Sequence, residues 1–459
     1  LFLCYARGNI VNNVYYIYKM PNFAKTEKTC AVFSMIFLCI GMVFRTIIYA
    51  KGQDLWLEEA LLWERLKPLI GGYDISELAL RFLPLLAGIA TLLLAYIFAK
   101  NEFGGKFACI FLFLLVSSDS LLFYSVNFSL YGMEAFLIVL CLCVWSFSHK
   151  SKTDLILLIS LSSILCIICN HGESYVYSPS FDFFIQMLGR HFINFHYFVF
   201  GPFVWINAFL FILLFGFGCF LLGKEKKILM VAISIPFFIL ILLYFLKLSP
   251  LGMPYSDFMF TMRNWSQMQV IGSKYLVFIM PLVFIPAALC VHKVFSRVGN
   301  PVLIGILVIF TFLALSSNAI RMHKGIGSPQ STEILLQIND RATEKSLVYA
   351  DSASRPLFEY YMSRSPFKDN ENLNVLYLKK DGYMYLNDSV FIGRYNMRPE
   401  DIFGVMRNFK AQSGFFFFSF GGYSSVKESN MIVNHIQNNH TGRSKGFQSK
   451  NAGAAWVRF

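Results

Sequence analysis

Between residues 54 and 64 the chain carries four carboxylates: Asp54, Glu58, Glu59 and Glu64. Glu58 and Glu59 are adjacent, so on a helix they point about 100° apart and one of them faces a given substrate atom. A carboxylate beside apolar Trp56 and Leu57 can act as a general base if its pKa suits the task. An acidic stretch in a loop is also a common solvated surface, and the charge pattern alone does not choose between the two.

Four more charges lie inside apolar runs: Arg45, Arg81, Asp119 and Glu134. Charge buried in lipid is expensive, and such residues mark functional sites by default. The topology derived below puts all four within two turns of the outer ends of their helices. That depth fits snorkelling to the interface, and it also fits a polar cavity open to the outer face. A transporter would instead carry polar groups near the midplane in broken helices, and the sequence offers no sign of them. A later stretch, 247–274, adds Lys247, Arg263 and Lys274 beside Tyr255 and Trp265. Cations with aromatics at a lipid–water boundary suit a lipid phosphate headgroup, or plain interfacial anchoring.

These residues need a scaffold, and the composition indicates which kind. Over 459 residues, 56% are hydrophobic and 15% charged, mean hydropathy is +0.54 and Phe alone counts 50. Soluble chains carry about 25% charged residues. The net charge of +13 is scattered in short clusters between apolar runs, which is how a multi-span membrane protein uses positive charge rather than a nucleic-acid footprint. None of the ten cysteines lies after Cys290, so the polar C-terminal third has no disulfide framework. Cys141-x-Cys143 and Cys166-x-x-Cys169 have metal-like spacing but no His in the same run, and read as packed or lipid-facing cysteines.

A membrane helix needs about 20 apolar residues. The sequence predicts nine: 31–50, 78–98, 107–122, 132–147, 155–169, 198–222, 228–246, 275–291 and 302–317. The shortest, 155–169, would cover only about 22 Å. The loops 1–30, 99–106, 148–154, 223–227 and 292–301 hold 13 Lys and Arg. The alternate loops 51–77, 123–131, 170–197 and 247–274 hold 7. Lys/Arg excess marks the cytoplasmic side, so the N-terminus is expected inside and the part after the ninth span outside. Residues 1–30 read as a cytoplasmic segment without a cleavable signal peptide, with Met20 a candidate start. A helix over 180–195, with Phe181, Phe184, Ile185, Leu188, Phe192 and Phe195 on one face, is expected in the outer interface.

Residues 318–459 differ, with 18 Lys/Arg, 12 Asp/Glu and no long apolar run. Strand-like runs at 347–350, 375–378, 415–420 and 454–459 alternate with helical ones at 354–362, 399–410 and 427–437. That order predicts a small α/β domain, with Phe415–Phe418 in a central strand. The fold class is thus a polytopic α-helical membrane protein of about nine helices with a C-terminal extracytoplasmic α/β domain.

Several segments resemble a known superfamily. Leu55-Trp-Leu-Glu-Glu-Ala60 resembles the LW-x-D-E-A motif in the first outer loop of the GT-C polyprenyl-phosphate-sugar transferases, which include protein O-mannosyltransferases and the aminoarabinose transferase of lipid A. Ser76-Glu-Leu-Ala-Leu-Arg-Phe-Leu-Pro-Leu-Leu-Ala-Gly88 is similar to their SE-x-ALR-x-x-P-x-L-x-G segment. Tyr124-Ser-Val-Asn-Phe-Ser-Leu-Tyr-Gly-Met-Glu134 is similar to YS-x-E-x-K-x-Y-x-x-D/E, and Lys274-Tyr-Leu-Val-Phe-Ile-Met-Pro281 to RY-L-x-F-x-x-P. The matches are in order and span residues 45–281.

The resemblance implies a catalytic domain over 31–317, with the catalytic first outer loop at 51–77, in a bacterial inner membrane. It implies that Glu58, at the Asp position, is the base on the acceptor and that Glu59 supports it. Asp54, Arg81, Tyr131, Glu134, Arg263, Lys274 and Tyr275 would bind substrate, with the cations on the donor phosphate. The partners implied are a polyprenyl-phosphate sugar, a lipid, glycan or protein acceptor, and the membrane, with no nucleic acid. The resemblance fixes no cofactor, and a divalent cation is compatible with the chemistry. Asn127 and Ser129 stand where the family carries an acid and a base, and only residues 68–75 separate the first two motifs. An inactive membrane scaffold is the alternative function, with a transporter or flippase behind it.

Overall fold

The structure is a computed structural model. It describes residues 21–51, 55, 57–69, 75–148, 151–169, 175–176, 204–245, 253–254, 274–295, 331–341, 346–350, 355–362, 364, 373–378, 383–386, 389–392, 415–420, 444–448 and 452–457. The expected span at 302–317, the interfacial helix at 180–195 and the helical runs at 399–410 and 427–437 lie outside them. The chain divides into two compact units.

The first unit joins residues 1–50, 81–252 and 269–319 and is helical over most of its described length. Its helices are α1 (Pro21–Ala50), most of α3 (Glu77–Phe103), α4 (Gly105–Ser117), α5 (Asp119–Tyr124), α6 (Leu130–Phe147), α7 (Lys152–Cys169), α8 (Val204–Glu225), α9 (Lys227–Phe245) and α10 (Met280–Phe295). A short 3₁₀ turn, Lys274–Ile279, leads into α10. Helix α2 belongs to the second unit and is described with it.

Among the described residues, Glu27–Ala50, Glu77–Phe103 and Leu130–Phe147 are long and apolar enough to cross a membrane. At about 1.5 Å per residue, even the 18-residue Leu130–Phe147 reaches nearly the thickness of a hydrocarbon core. Shorter apolar helices occupy Gly105–Ser117, Thr153–Cys166, Lys227–Ile239 and Val277–Lys293. Every residue from 277 to 290 is buried. An apolar helix buried all round is a core element, and α10 fills that place, packing against α4 and α8. The outer surface carries apolar side chains such as Val32, Met35, Phe82, Leu157, Phe217 and Phe238, as a lipid-facing surface requires.

The expected span 107–122 is not one helix. Helix α4 ends at Ser117, Ser118 is extended at φ −71° and ψ 117°, and α5 starts at Asp119. The cause is local. Ser and Asp compete with the backbone for hydrogen bonds and favour caps over helix interiors. Ser118 Oγ accepts the Leu121 N–H at 3.4 Å as the cap of α5, and Ser117 Oγ donates to the Leu114 carbonyl at 3.2 Å. A broken helix with buried hydroxyls, which the sequence pattern gave no sign of, therefore exists here.

The second unit joins residues 51–80, 253–268 and 320–459. It contains α2 (Leu57–Leu66), α11 (Ser331–Arg341), α12 (Arg355–Met362) and a seven-stranded sheet. The strands are β1 (Ser346–Ala350), β2 (Leu373–Leu378), β3 (Tyr383–Leu386), β4 (Ser389–Ile392), β5 (Phe415–Phe420), β6 (Ser444–Gln448) and β7 (Ala452–Val457), in the order β4-β3-β2-β1-β5-β7-β6. β1 pairs in parallel with both β2 and β5, while the outer pairings are antiparallel. The Phe415–Phe420 run is paired on both edges, in register with Leu347–Ala350 on one side and Ala452–Val457 on the other. The hairpin β3–β4 and strand β6, which the sequence reading missed, complete the sheet.

Candidate functional site

In the first unit, three of the motif segments pack together. Gly88 lies on α3 against Ser125, so closely that a Cβ there would run into the Ser125 Cβ. Gly132 lies against the Tyr124 carbonyl oxygen in the same way. The two glycines thus let α3 and the start of α6 close onto the turn at 124–127, where the rings of Tyr124 and Tyr131 meet edge-on at 5.2 Å. The 3₁₀ turn opened by Lys274 and Tyr275 packs against α5 and α6. Just beyond it, Ser118 Oγ lies 3.8 Å from Met280 Sδ. Within the first unit, the 124–134 segment therefore meets both Gly88 and the 3₁₀ turn, which are distant from it in sequence.

Several polar side chains of this unit are individually buried: Arg81 is 3% exposed and Glu134 6%, and Ser117, Ser118, Ser120, Ser125 and Asn127 are buried too. Tyr131 is half-buried. The start of α3 is fixed by Ser76, whose Oγ accepts the Ala79 N–H at 3.3 Å, an N-cap of the kind Ser favours. The Ser of the SE-x-ALR segment is therefore the residue that begins the helix carrying Arg81. Arg45, near the end of α1, is 1% exposed, and its Nη1 donates to the Gly41 carbonyl at 3.1 Å.

The opposite end of this unit holds a feature the sequence reading missed. Glu102 is buried; it accepts from Ser146 Oγ at 2.8 Å and pairs with Lys226 Nζ at 2.5 Å. Lys226 also lies 4.8 Å from the Phe103 ring centre, and Lys293 pairs with Glu225 at 2.6 Å. Residues 102–103, 225–226 and 293 therefore meet the end of α6 at one end of the bundle, and each lies in one of the segments 99–106, 223–227 and 292–301. These are the Lys/Arg-rich loops. Nothing in their sequence distinguishes Glu102 from any loop acid.

In the second unit, Glu58, Glu59 and Glu64 lie on α2. Glu58 is the second residue of α2, Glu59 follows and is 2% exposed, and Asp54 lies outside the described residues. Arg263 also lies outside them. Helix α2 packs on α12, with Leu55, Ala60, Trp63, Leu357, Phe358, Tyr360 and Tyr361 buried. The Leu55 N–H donates to Tyr361 Oη at 2.7 Å. Arg364 donates to the Tyr360 carbonyl at 2.9 Å and to the Ile75 carbonyl at 3.3 Å. Tyr361, Arg364 and Trp63 were not singled out from the sequence, because nothing short of the fold relates position 55 to position 361.

Cys141 Sγ sits 3.1 Å from Ser162 Oγ between α6 and α7, and Cys143 and Cys166 are also buried. Among the described residues, no group of three His, Cys, Asp or Glu side chains could hold a metal ion.

No protein-family model matches the chain, and no curated protein does. Among solved structures it is similar to the oligosaccharyltransferase of Archaeoglobus fulgidus, crystallised with zinc and sulfate. The identity is 12%, the TM-score 0.34, and the match covers 85% of this chain and 68% of that one.

Proposed function

We propose that the chain is a membrane glycosyltransferase of GT-C type, moving a sugar from a polyprenyl-phosphate donor to an acceptor on the extracytoplasmic face with inversion. Nine helices cross a bacterial inner membrane, and residues 318–459 form an extracytoplasmic α/β domain. The observation that carries this reading is the joining of α2 to α12 through Leu55 and Tyr361. It supports a reading in which the motif-bearing first loop and the C-terminal part lie on one side of the membrane; such a reading needs an even number of crossings between residues 80 and 320, and the proposed spans two to nine supply eight. The Glu102–Lys226 and Glu225–Lys293 pairs support the same alternation.

In this reading Glu58 takes the proton from the acceptor's hydroxyl or amine as that atom attacks the anomeric carbon. The bond from that carbon to the phosphate oxygen breaks, and the lipid phosphate leaves with the bonding pair. Lys274, with Arg263, holds the phosphate; charge-assisted contacts of this kind are the strong ones. Arg81 joins the substrate-binding residues. Asp54, Tyr131, Glu134 and Tyr275 line the substrate. Glu59 orients its neighbour from its buried position.

Mass spectrometry of the purified protein should find bound polyprenyl phosphate, and a labelled polyprenyl-phosphate sugar should pass its sugar to envelope acceptors. Bound lipid without transfer would favour the scaffold. A reporter fused after Phe459 should read as exported; a cytoplasmic signal would overturn the topology, with span 155–169 the first suspect.

A further inference from the structure

We propose that Tyr361 and Arg364 are positioning residues, which fix the first-loop helix α2 and with it the acid pair Glu58–Glu59. The proposal rests on the enzyme reading above for what the loop does, but not for the clamp itself.

The geometry lies wholly within the second unit. Leu55 and Ile75, which flank α2 in sequence, are both held by one place in the C-terminal part. The Leu55 backbone N–H donates to Tyr361 Oη at 2.7 Å. The Ile75 carbonyl accepts from Arg364 Nη2 at 3.3 Å. Between them Trp63 packs edge-on to Tyr360, with ring centres 6.4 Å apart at 88°. The Arg364 guanidinium carbon lies 3.4 Å from the Tyr360 ring centre and 5.9 Å from that of Trp63, within the reach of a cation–π contact. Arg364 Nη1 donates to the Tyr360 carbonyl at 2.9 Å, which fixes the guanidinium against its own helix. Tyr360 and Tyr361 stand perpendicular with centres 5.1 Å apart.

Each contact has a physical purpose. Leu55 is fully buried, so its N–H needs a partner, and Tyr361 supplies one three residues before Glu58. Arg364 needs a flat fork to stack on one ring and reach a carbonyl at once, which lysine does not have. Base catalysis depends on placement, and a shift of about 1 Å can cost on the order of 10²-fold in rate. A ten-residue helix such as α2 is marginal alone in water. Its place must come from what it packs on.

The test uses full-length protein in detergent or nanodiscs, with Tyr361→Phe, Arg364→Lys and Arg364→Ala. Tyr361→Phe keeps the ring packing and deletes one acceptor. Hydrogen exchange in peptides covering 55–66 should quicken in Tyr361→Phe and Arg364→Ala, with exchange in α4 and α10 unchanged. Transfer should show kcat lowered on the order of ten-fold with donor KM held. In a Glu58→Gln background Tyr361→Phe should add little, because a residue acting through another is not additive with it. Arg364→Lys should recover part of the loss shown by Arg364→Ala. Unchanged exchange in 55–66 would overturn the clamp, and faster exchange with unaltered kcat would overturn its positioning role. A wild-type protein without transfer would sink the enzyme reading alone, and the exchange data would still decide the clamp.

Discussion

Lys226 Nζ lies 2.5 Å from a carboxylate oxygen of Glu102, a pair formed between residues 124 apart in sequence. The Glu102 side chain is 1% exposed and that of Lys226 29%. Removing one partner of a buried pair leaves an uncompensated charge, at a cost of about 3–5 kcal/mol. The partial exposure of Lys226 sets the lower end. Lys226→Met should therefore destabilise the protein by about 3 kcal/mol, read as a drop in Tm in detergent. The double variant Glu102→Gln with Lys226→Met should regain most of that loss. A double variant as unstable as Lys226→Met would show that the pair is not what the lysine contributes.

Gly88 is the position where α3 closes onto Ser125. Gly88→Val forces atoms into occupied space, and overpacking costs about 1–3 kcal/mol. Folded yield and Tm should both fall. Gly105, whose added Cβ would meet nothing within 4 Å, supplies the control: Gly105→Ala should leave both unchanged.

Lys274→Ala and Arg263→Ala test the donor phosphate. Under the proposed function, each would remove a charge-assisted contact worth about 1.5–3 kcal/mol. Affinity for a polyprenyl phosphate should fall by roughly ten-fold or more, measured by equilibrium binding. Unchanged affinity in both single variants would move the headgroup elsewhere, and Arg81 would be the next residue to change.

Glu58→Gln keeps size and hydrogen bonding but cannot take a proton. Loss of a general base costs about 10²–10⁴-fold in rate, and donor binding should survive. Glu59→Gln should cost less if Glu59 orients. Glu58→Asp places in the motif the residue that the resembled motif carries, and a slower aspartate variant would mean that the loop is built around the longer side chain. Transfer by Glu58→Gln at the wild-type rate would remove Glu58 from the mechanism, leaving Asp54 and Glu59.

Much of the scaffold was legible in the chain, because it follows from local pattern. Long apolar runs give helices, and those over 31–50, 78–98 and 132–147 reappear inside α1, α3 and α6. The Phe415–Phe420 run gives an interior strand, since a continuous apolar segment suits pairing on both edges. Ser76 begins α3 by a cap that reaches only three residues ahead. The break at Ser118 was also local, but the apolar residues around it concealed it: hydropathy averages over a window, while a helix ends on one residue's hydrogen bond. Tertiary structure alone decided the rest. Leu55 finds Tyr361, Arg364 finds Ile75, and Glu102 finds Lys226 across separations of 124 to 306 residues. A carboxylate's charge is written in the sequence, but its burial and its partner are properties of the space the whole chain encloses.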